Sequence, residues 1–258
     1  MKEVSFCYPG KNFVVVGASS GIGKKVALEL AQAGANVLCV ARRTQLIEQM
    51  KSSELPGKII PKFLDVTKAT AADWDNLFKD FVGEYGKIDG GVYTAGVVGL
   101  DSLRAWNEQL ARTITETSFW GMLRFMQSVA KKRFSIEKAS FIVFSSVAAY
   151  DAYTGLLVYS SAKAAVQTAV KNIAKEISPR LQRINSLSPG LLNDTDITRI
   201  TSSVKDSKEV LTSKIRLDEG TVEKVSGMVL FLLSNRADWI TGTDIVIDGG
   251  MLLGGEFE

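Results

Sequence analysis

The sequence predicts an α/β fold: a single domain built on a doubly wound parallel sheet of about seven strands, with helices on both faces. Three observations predict it. Short, continuously apolar runs such as Phe13-Val14-Val15-Val16 alternate with longer stretches of helical periodicity, the pattern of strands buried on both faces. The first such run leads directly into a glycine-rich turn, Gly17-Ala18-Ser19-Ser20-Gly21-Ile22-Gly23. No Pro/Gly/Ser linker, low-complexity tract or internal repeat divides the 258 residues, so right-handed crossovers wind one sheet rather than two.

In chain order, strand 13–16 is followed by a helix over about 22–33, which stops at Gly34. Asn36 to Val40 forms the second strand and 44–53 the second helix. The third strand covers 58–64, and a helix at 70–85 precedes the fourth strand at 88–93. One long helix is expected over about 103–133, before a fifth strand at 140–144. Helix, strand, helix and strand then follow, the last strand being Asp244 to Ile247.

Composition removes several function classes. The chain has no histidine, so neither a Ser-His-Asp triad nor a histidine-ligated zinc site is available, and no metal is expected. The 31 basic and 28 acidic residues are scattered, leaving a formal charge of +3 and no nucleic-acid-binding block. Two cysteines, Cys7 and Cys39, suit a reducing compartment better than a disulfide framework. The first ten residues lack the apolar core of a signal peptide, and no run is long enough for a bilayer. These features give the expectation of a cytoplasmic protein without membrane or nucleic-acid partners.

Two segments carry chemistry. Glycines at 17, 21 and 23 let backbone amides approach a pyrophosphate at a helix N-terminus, although the spacing is GxxxGxG, not GxGxxG. After the second strand stands Ala41-Arg42-Arg43, where an NAD-selective site normally has an acid for the ribose 2′-hydroxyl. Arginine there suits a 2′-phosphate. NADP(H) is therefore the expected cofactor, ahead of NAD(H). Further along, Tyr159-Ser160-Ser161-Ala162-Lys163 puts a phenol and an ammonium on one helical face. The ammonium makes the phenol a usable acid/base at neutral pH.

With these segments in view, the chain resembles the short-chain dehydrogenase/reductase family over nearly its whole length, in a layout similar to 3-oxoacyl-carrier-protein reductases. The fold implied is Rossmann-type. The Gly17–Gly23 turn resembles the family's TGxxxGIG, with Val16 in the threonine position. Ser146, Tyr159 and Lys163 match the catalytic serine, tyrosine and lysine, and Lys163 would also hold the nicotinamide ribose. Leu64-Asp65-Val66 resembles the adenine-contacting segment, and Tyr93-Thr94-Ala95-Gly96 stands where the family has NNAG. Ser188-Pro189-Gly190 is similar to the turn beside the nicotinamide, with Leu192 and Thr195 expected at its carboxamide. Thr241-Gly242 and Asp248-Gly249-Gly250 match the closing signature.

The resemblance thus implies catalytic Ser146, Tyr159 and Lys163. The implied cofactor residues are Gly17, Ser19, Ser20, Gly21, Ile22, Gly23, Arg42, Arg43, Asp65, Val66, Thr94, Ala95, Gly96, Pro189, Gly190, Leu192 and Thr195, together with Tyr159 and Lys163. Two positions depart from the pattern. Alignment on Gly121 puts Ser118 where the family has a fourth catalytic residue, an asparagine that helps hold a water linking the lysine to solvent. Tyr93 replaces the first asparagine of NNAG and is expected to be bulky beside the cofactor.

The activity implied is NADP(H)-dependent interconversion of a ketone and a secondary alcohol; a non-catalytic sensor or structural homologue on the same fold is the alternative. The cleft is expected between Val97–Leu100, Val147–Leu157 and a lid around 191–213, with Tyr150 and Tyr153 as possible lining. Phe119, Trp120, Leu123, Phe125 and Met126, with the tail from Met251, are expected to support a homodimer or homotetramer.

Overall fold

The computed structural model describes residues 5–193 and 212–254. Seven strands form one parallel sheet in the order β3-β2-β1-β4-β5-β6-β7. They are β1 (Asn12–Val16), β2 (Asn36–Ala41), β3 (Lys58–Phe63), β4 (Ile88–Tyr93), β5 (Ser135–Phe144), β6 (Arg183–Pro189) and β7 (Asp244–Ile247). The order reverses between β1 and β4, opening a crevice at the carboxyl ends of the strands where ligands bind in such sheets. The predicted doubly wound class is the one observed.

Two apolar cores lie on opposite faces. On one, Val15, Val37, Cys39 and Leu187 pack with α1 (Gly21–Gln32) through Val26 and Leu30, and with a late helix, Val222–Leu233. On the other, Val14, Val16, Val143 and Ile184 meet α3 (Ala71–Tyr85), α5 (Gly121–Val129) and α6 (Leu157–Ile177). Alternation along β1 sends Val14 and Val15 to opposite faces, as period-two geometry requires.

Local chemistry explains where elements end. α1 stops at Gly34, whose φ of +91° suits glycine. Thr70 and Asp73 form a reciprocal capping box at the start of α3. Pro61 is tolerated because β3 is an edge strand.

Three expected boundaries differ. Helix α2 covers only Thr44–Glu48 instead of 44–53, because Met50 N and Lys51 N bond three residues back, to Ile47 and Glu48, and close the turn. β5 begins at Ser135 rather than 140; Lys138 at φ 62° takes up a register shift against β4.

The expected helix over 103–133 is the largest departure. Asp101 N bonds the Gly155 carbonyl and holds the preceding segment non-helical. Asn107 caps α4 (Glu108–Thr115) by accepting from Leu110 N. A π-helical turn, Glu116–Trp120, then separates α4 from α5, and the chain leaves the helix after Val129.

Candidate active site

The glycine turn is shaped for close approach. Gly17 has φ +87°, and a Cβ there would stand 2.6 Å from Thr94 Oγ1 and 2.8 Å from Ala95 N. A side chain at Gly23 would collide with the Gly17 carbonyl and the Thr94 hydroxyl. Thr94 fixes this contact between β1 and β4 by donating from Oγ1 to the Val16 carbonyl at 2.7 Å. The Ser20 side chain does not cap α1, which leaves the helix N-terminus facing an open groove suited to an anion.

That groove runs along Ser19, Ser20, Gly21 and Ile22, past Arg42, Arg43, Asp65 and Val66, to Thr94, Ala95 and Gly96. Its arginine end is built by Arg43, whose Nη2 donates to Ser20 Oγ at 3.0 Å and Ser19 Oγ at 3.4 Å. Asp65 Oδ1 accepts from Thr67 N at 3.1 Å and Thr67 Oγ1 at 2.8 Å. Partial burial favours the neutral acid, but these hydrogen bonds and the nearby Arg42 charge prevail and hold the carboxyl below its usual range. Asp65 is thus ionised and oriented. The glycine cradle and the open helix end fit a dinucleotide, with a guanidinium and two hydroxyls at one end of the groove.

Ile22, Thr94 and Gly96 also line a second cavity, so the two join there. Ser146, Tyr159 and Lys163 converge on it, with Pro189, Gly190 and Leu192 opposite. Ser146 ends the segment after β5, where its Oγ accepts from Ala148 N at 3.2 Å. Tyr159 and Lys163 lie one turn apart near the start of α6, and both are buried. Ser145 Oγ bonds the Lys163 carbonyl at 3.0 Å, pinning α6 to the end of β5. Lys163 Nζ donates to the Phe144 carbonyl at 2.8 Å and stands 5.6 Å from the Tyr159 ring centroid.

Burial sets the electrostatics. It raises the Tyr159 phenol, with the Ser146 hydroxyl pulling the other way. It lowers the Lys163 ammonium to about 8, since a low-dielectric site penalises the charged form. Tyr159 is therefore protonated at neutral pH, with the Lys163 ammonium on the same face of α6.

Ser118 lies within the π turn and is buried; its Oγ has no hydrogen-bond partner among the described residues. A Cβ on Gly96 would lie 3.6 Å from Lys163 Nζ and 4.0 Å from Ser118 Oγ. Ser118 therefore shares the neighbourhood of the lysine that the alignment on Gly121 implied.

Several expectations need correction. Tyr93 does not stand beside the cofactor groove; it is buried under the π turn, its Oη donating to the Thr117 carbonyl at 2.7 Å. Successive strand residues face opposite sides, so Thr94 takes the groove and Tyr93 the core. Phe125 and Met126 pack on their own sheet, whereas Trp120 is half exposed. Met251 is buried in the second cavity's wall rather than in an exposed tail. Tyr150 turns away and donates to Asp244 Oδ2 at 2.7 Å, while Tyr153 lines the cavity. Thr195 and most of the expected lid, 194–211, lie outside the described residues. Thr117 borders the groove without having been singled out; only its adjacency to Ser118 pointed to it.

Comparison with known proteins agrees with this geometry. Residues 17–252 match a family described as Enoyl-(Acyl carrier protein) reductase. The chain is 31% identical to 3-oxoacyl-acyl-carrier-protein reductase FabG of Thermotoga maritima, over 95% of this chain and 98% of that protein. It is also 31% identical to D-erythrulose reductase of Gallus gallus, over 97% and 99% respectively. A short-chain type dehydrogenase/reductase from Mycobacterium marinum superposes with a TM-score of 0.82 at 30% identity, covering 95% of this chain and 97% of that one. A second, from Mycobacterium ulcerans, gives 0.86 at 26% identity, over 97% and 92%. The chain belongs to the short-chain dehydrogenase/reductase family of oxidoreductases.

Proposed function

We propose that this chain is an NADP(H)-dependent ketoreductase that interconverts a small ketone and its secondary alcohol, with Tyr159 as general acid/base. The observation that carries the reading is the meeting of Ser146, Tyr159 and Lys163 in a cavity that opens into the glycine-lined groove at Ile22, Thr94 and Gly96. Dinucleotide groove and proton donor thus share one space. A bound NADP(H) supplies or accepts the hydride; the protein's part is to orient, to shield and to move one proton. Ser146 Oγ and Tyr159 Oη hold the carbonyl oxygen, and Tyr159 gives it a proton as the alcohol forms. The buried Lys163 ammonium stabilises the phenolate left behind and holds the nicotinamide ribose. Ser118 Oγ holds a water through which the proton is replaced, in the manner of the asparagine it replaces. In oxidation the steps reverse.

Cofactor choice rests on Ala41, which leaves no acid beside the ribose, and on Arg42 and Arg43 at the groove's end. A guanidinium held by Ser19 and Ser20 provides a fork for a 2′-phosphate. Gly190 and Leu192 border the nicotinamide end.

The names of the relatives, 3-oxoacyl-acyl-carrier-protein reductase and D-erythrulose reductase, support a ketone substrate. Half-exposed Trp120 on the π turn and Leu157 at the start of α6 support a homodimer or homotetramer. No described helix is long and apolar enough to cross a membrane. The two free cysteines favour a cytoplasmic location.

Tyr159→Phe tests the reading. NADPH oxidation against a ketone panel falls by about three orders of magnitude or more, a loss at the upper end for removal of a general acid. NADPH affinity stays within about twofold, because the ring remains in place. Retained turnover would remove Tyr159 from the mechanism.

A further inference from the structure

The cavity that Ser146 and Tyr159 line has its other polar side chains already engaged by the protein. Lys163 Nζ donates to the Phe144 carbonyl at 2.8 Å, and Ser145 Oγ to the Lys163 carbonyl at 3.0 Å. Thr94 Oγ1 donates to the Val16 carbonyl at 2.7 Å. Tyr153 lines the wall with its ring, because its hydroxyl is shut off from solvent. Burial, followed by the charge and hydrogen bond of Asp151, pushes that phenol up to about 12. Away from the reacting groups the wall is apolar: Val98, Val147, Leu156, Leu192 and Met251. Among the described side chains, Ser146 and Tyr159 are the hydroxyls left to meet a substrate, and both serve the reacting carbonyl.

We infer that this cavity takes ketones whose remaining body is hydrocarbon, alkyl or cycloalkyl, and discriminates against ketones with a further oxygen on the side away from the carbonyl. The inference deepens the reading of this cavity as a ketone site and rests on it. An oxygen set against these walls gives up its hydrogen bonds to water and gains none in return. A methylene in the same place gains by leaving water. The walls are held by packing: Val98, Val147, Leu192 and Met251 are buried, and Val98 belongs with Ala148 and Tyr159 to one apolar cluster, against which Tyr153 and Leu156 pack. Polar orienting groups are few in most ligand cavities; here the pair at the carbonyl supplies the orientation and the walls supply the selection.

Cyclohexanone and tetrahydropyran-4-one form the test pair. They differ by a ring oxygen in place of the methylene opposite the carbonyl, out of reach of a Ser146–Tyr159 pair that holds the carbonyl oxygen. Binding is measured by ligand-detected NMR titration of the protein saturated with NADP⁺, which has no hydride to give, so no turnover is needed. The wild type binds cyclohexanone about tenfold more tightly, the scale of burying an oxygen without a partner. Equal affinities, or a preference for tetrahydropyran-4-one, would overturn the inference, and this comparison needs no variant. Met251→Gln keeps the length of the side chain and puts an amide donor in the wall. In it the preference falls to about twofold or less, through tighter binding of tetrahydropyran-4-one. An unchanged preference in the folded variant would count against the wall as its source and overturn the assignment. NADPH oxidation with cyclohexanone tests the reaction separately. A binding preference without turnover upholds the apolar selection and rejects the ketoreductase reading; turnover with equal affinities does the reverse.

Discussion

Tyr93 Oη donates to the carbonyl of Thr117 at 2.7 Å, reaching from the last residue of β4 into the π turn that carries Ser118. A π turn leaves a carbonyl outside the regular helical ladder, and this phenol satisfies it. The same hydroxyl occupies the space beside Gly121, where a Cβ would collide with it and stand 3.0 Å from the Glu116 carbonyl. Tyrosine at 93 and glycine at 121 are therefore one packing unit, and the sequence departure at 93 acts on the helix rather than on the cofactor.

This pairing makes a double-mutant prediction. Gly121→Ala alone destabilises the fold by about 1–3 kcal/mol, the scale of overpacking a full core. Tyr93→Phe alone costs about 1–2 kcal/mol through the orphaned Thr117 carbonyl. Together they cost less than their sum, since Phe removes the atom that the new methyl strikes. Urea denaturation of the four proteins measures the coupling, and strict additivity would dissolve the proposed unit.

Arg43, more than Arg42, is expected to decide between the two nicotinamide cofactors. Its Nη2 is already held by Ser20 at 3.0 Å, whereas the Arg42 charge bears on Asp65. Arg43→Ala weakens NADPH by about 2 kcal/mol, roughly thirtyfold, as loss of charge-assisted bonds to a phosphate predicts. NADH is almost untouched. Fluorescence titration with each cofactor provides the comparison; equal losses would remove Arg43 from the phosphate site.

The burial that brings Lys163 beside Tyr159 comes at the expense of stability. Its folded-state value, about 8 against the ordinary 10.5, means that the folded protein binds this proton less readily than the unfolded chain. The penalty is fully present below pH 8, shrinks as pH rises and vanishes above 10.5. At pH 7 it amounts to about 3 kcal/mol at most, from 1.36 kcal/mol per pKa unit. Lys163→Met therefore inactivates the enzyme yet raises its thermal midpoint at pH 7, with the gain fading toward pH 10. A lowered midpoint at pH 7 would show that the bond to Phe144 outweighs desolvation. In the wild type, ketone reduction declines above pH 8 as this ammonium discharges, readable from kcat/KM against pH.

The sheet was legible in the sequence because parallel strands buried on both faces leave uninterrupted apolar runs, as at Val14–Val16 and Val37–Val40. The glycine turn and the Tyr159–Lys163 pair were legible because their chemistry depends on local spacing. What escaped depends on partners distant in the chain. The break in the helix over 103–133 is set by Tyr93 and by the Asp101–Gly155 contact, neither of which leaves a mark on helical periodicity. Tyr93 itself was misplaced although strand alternation at Tyr93-Thr94 carried the answer: if Thr94 faces the groove, its neighbour cannot. Tyr153 and Tyr150 were indistinguishable as loop tyrosines until Asp244 claimed one of them.

Met251 closes one side of the cavity that Ser146 and Tyr159 line, although it follows both of them and all seven strands in the chain. Every other residue lining that cavity lies at or before Leu192, so during synthesis this wall is the last to be made. A nascent chain arrested short of this methionine would leave the cavity open on that side. Fusions placed just beyond it deserve the same suspicion, for they press on a wall of the cavity that Ser146 and Tyr159 line.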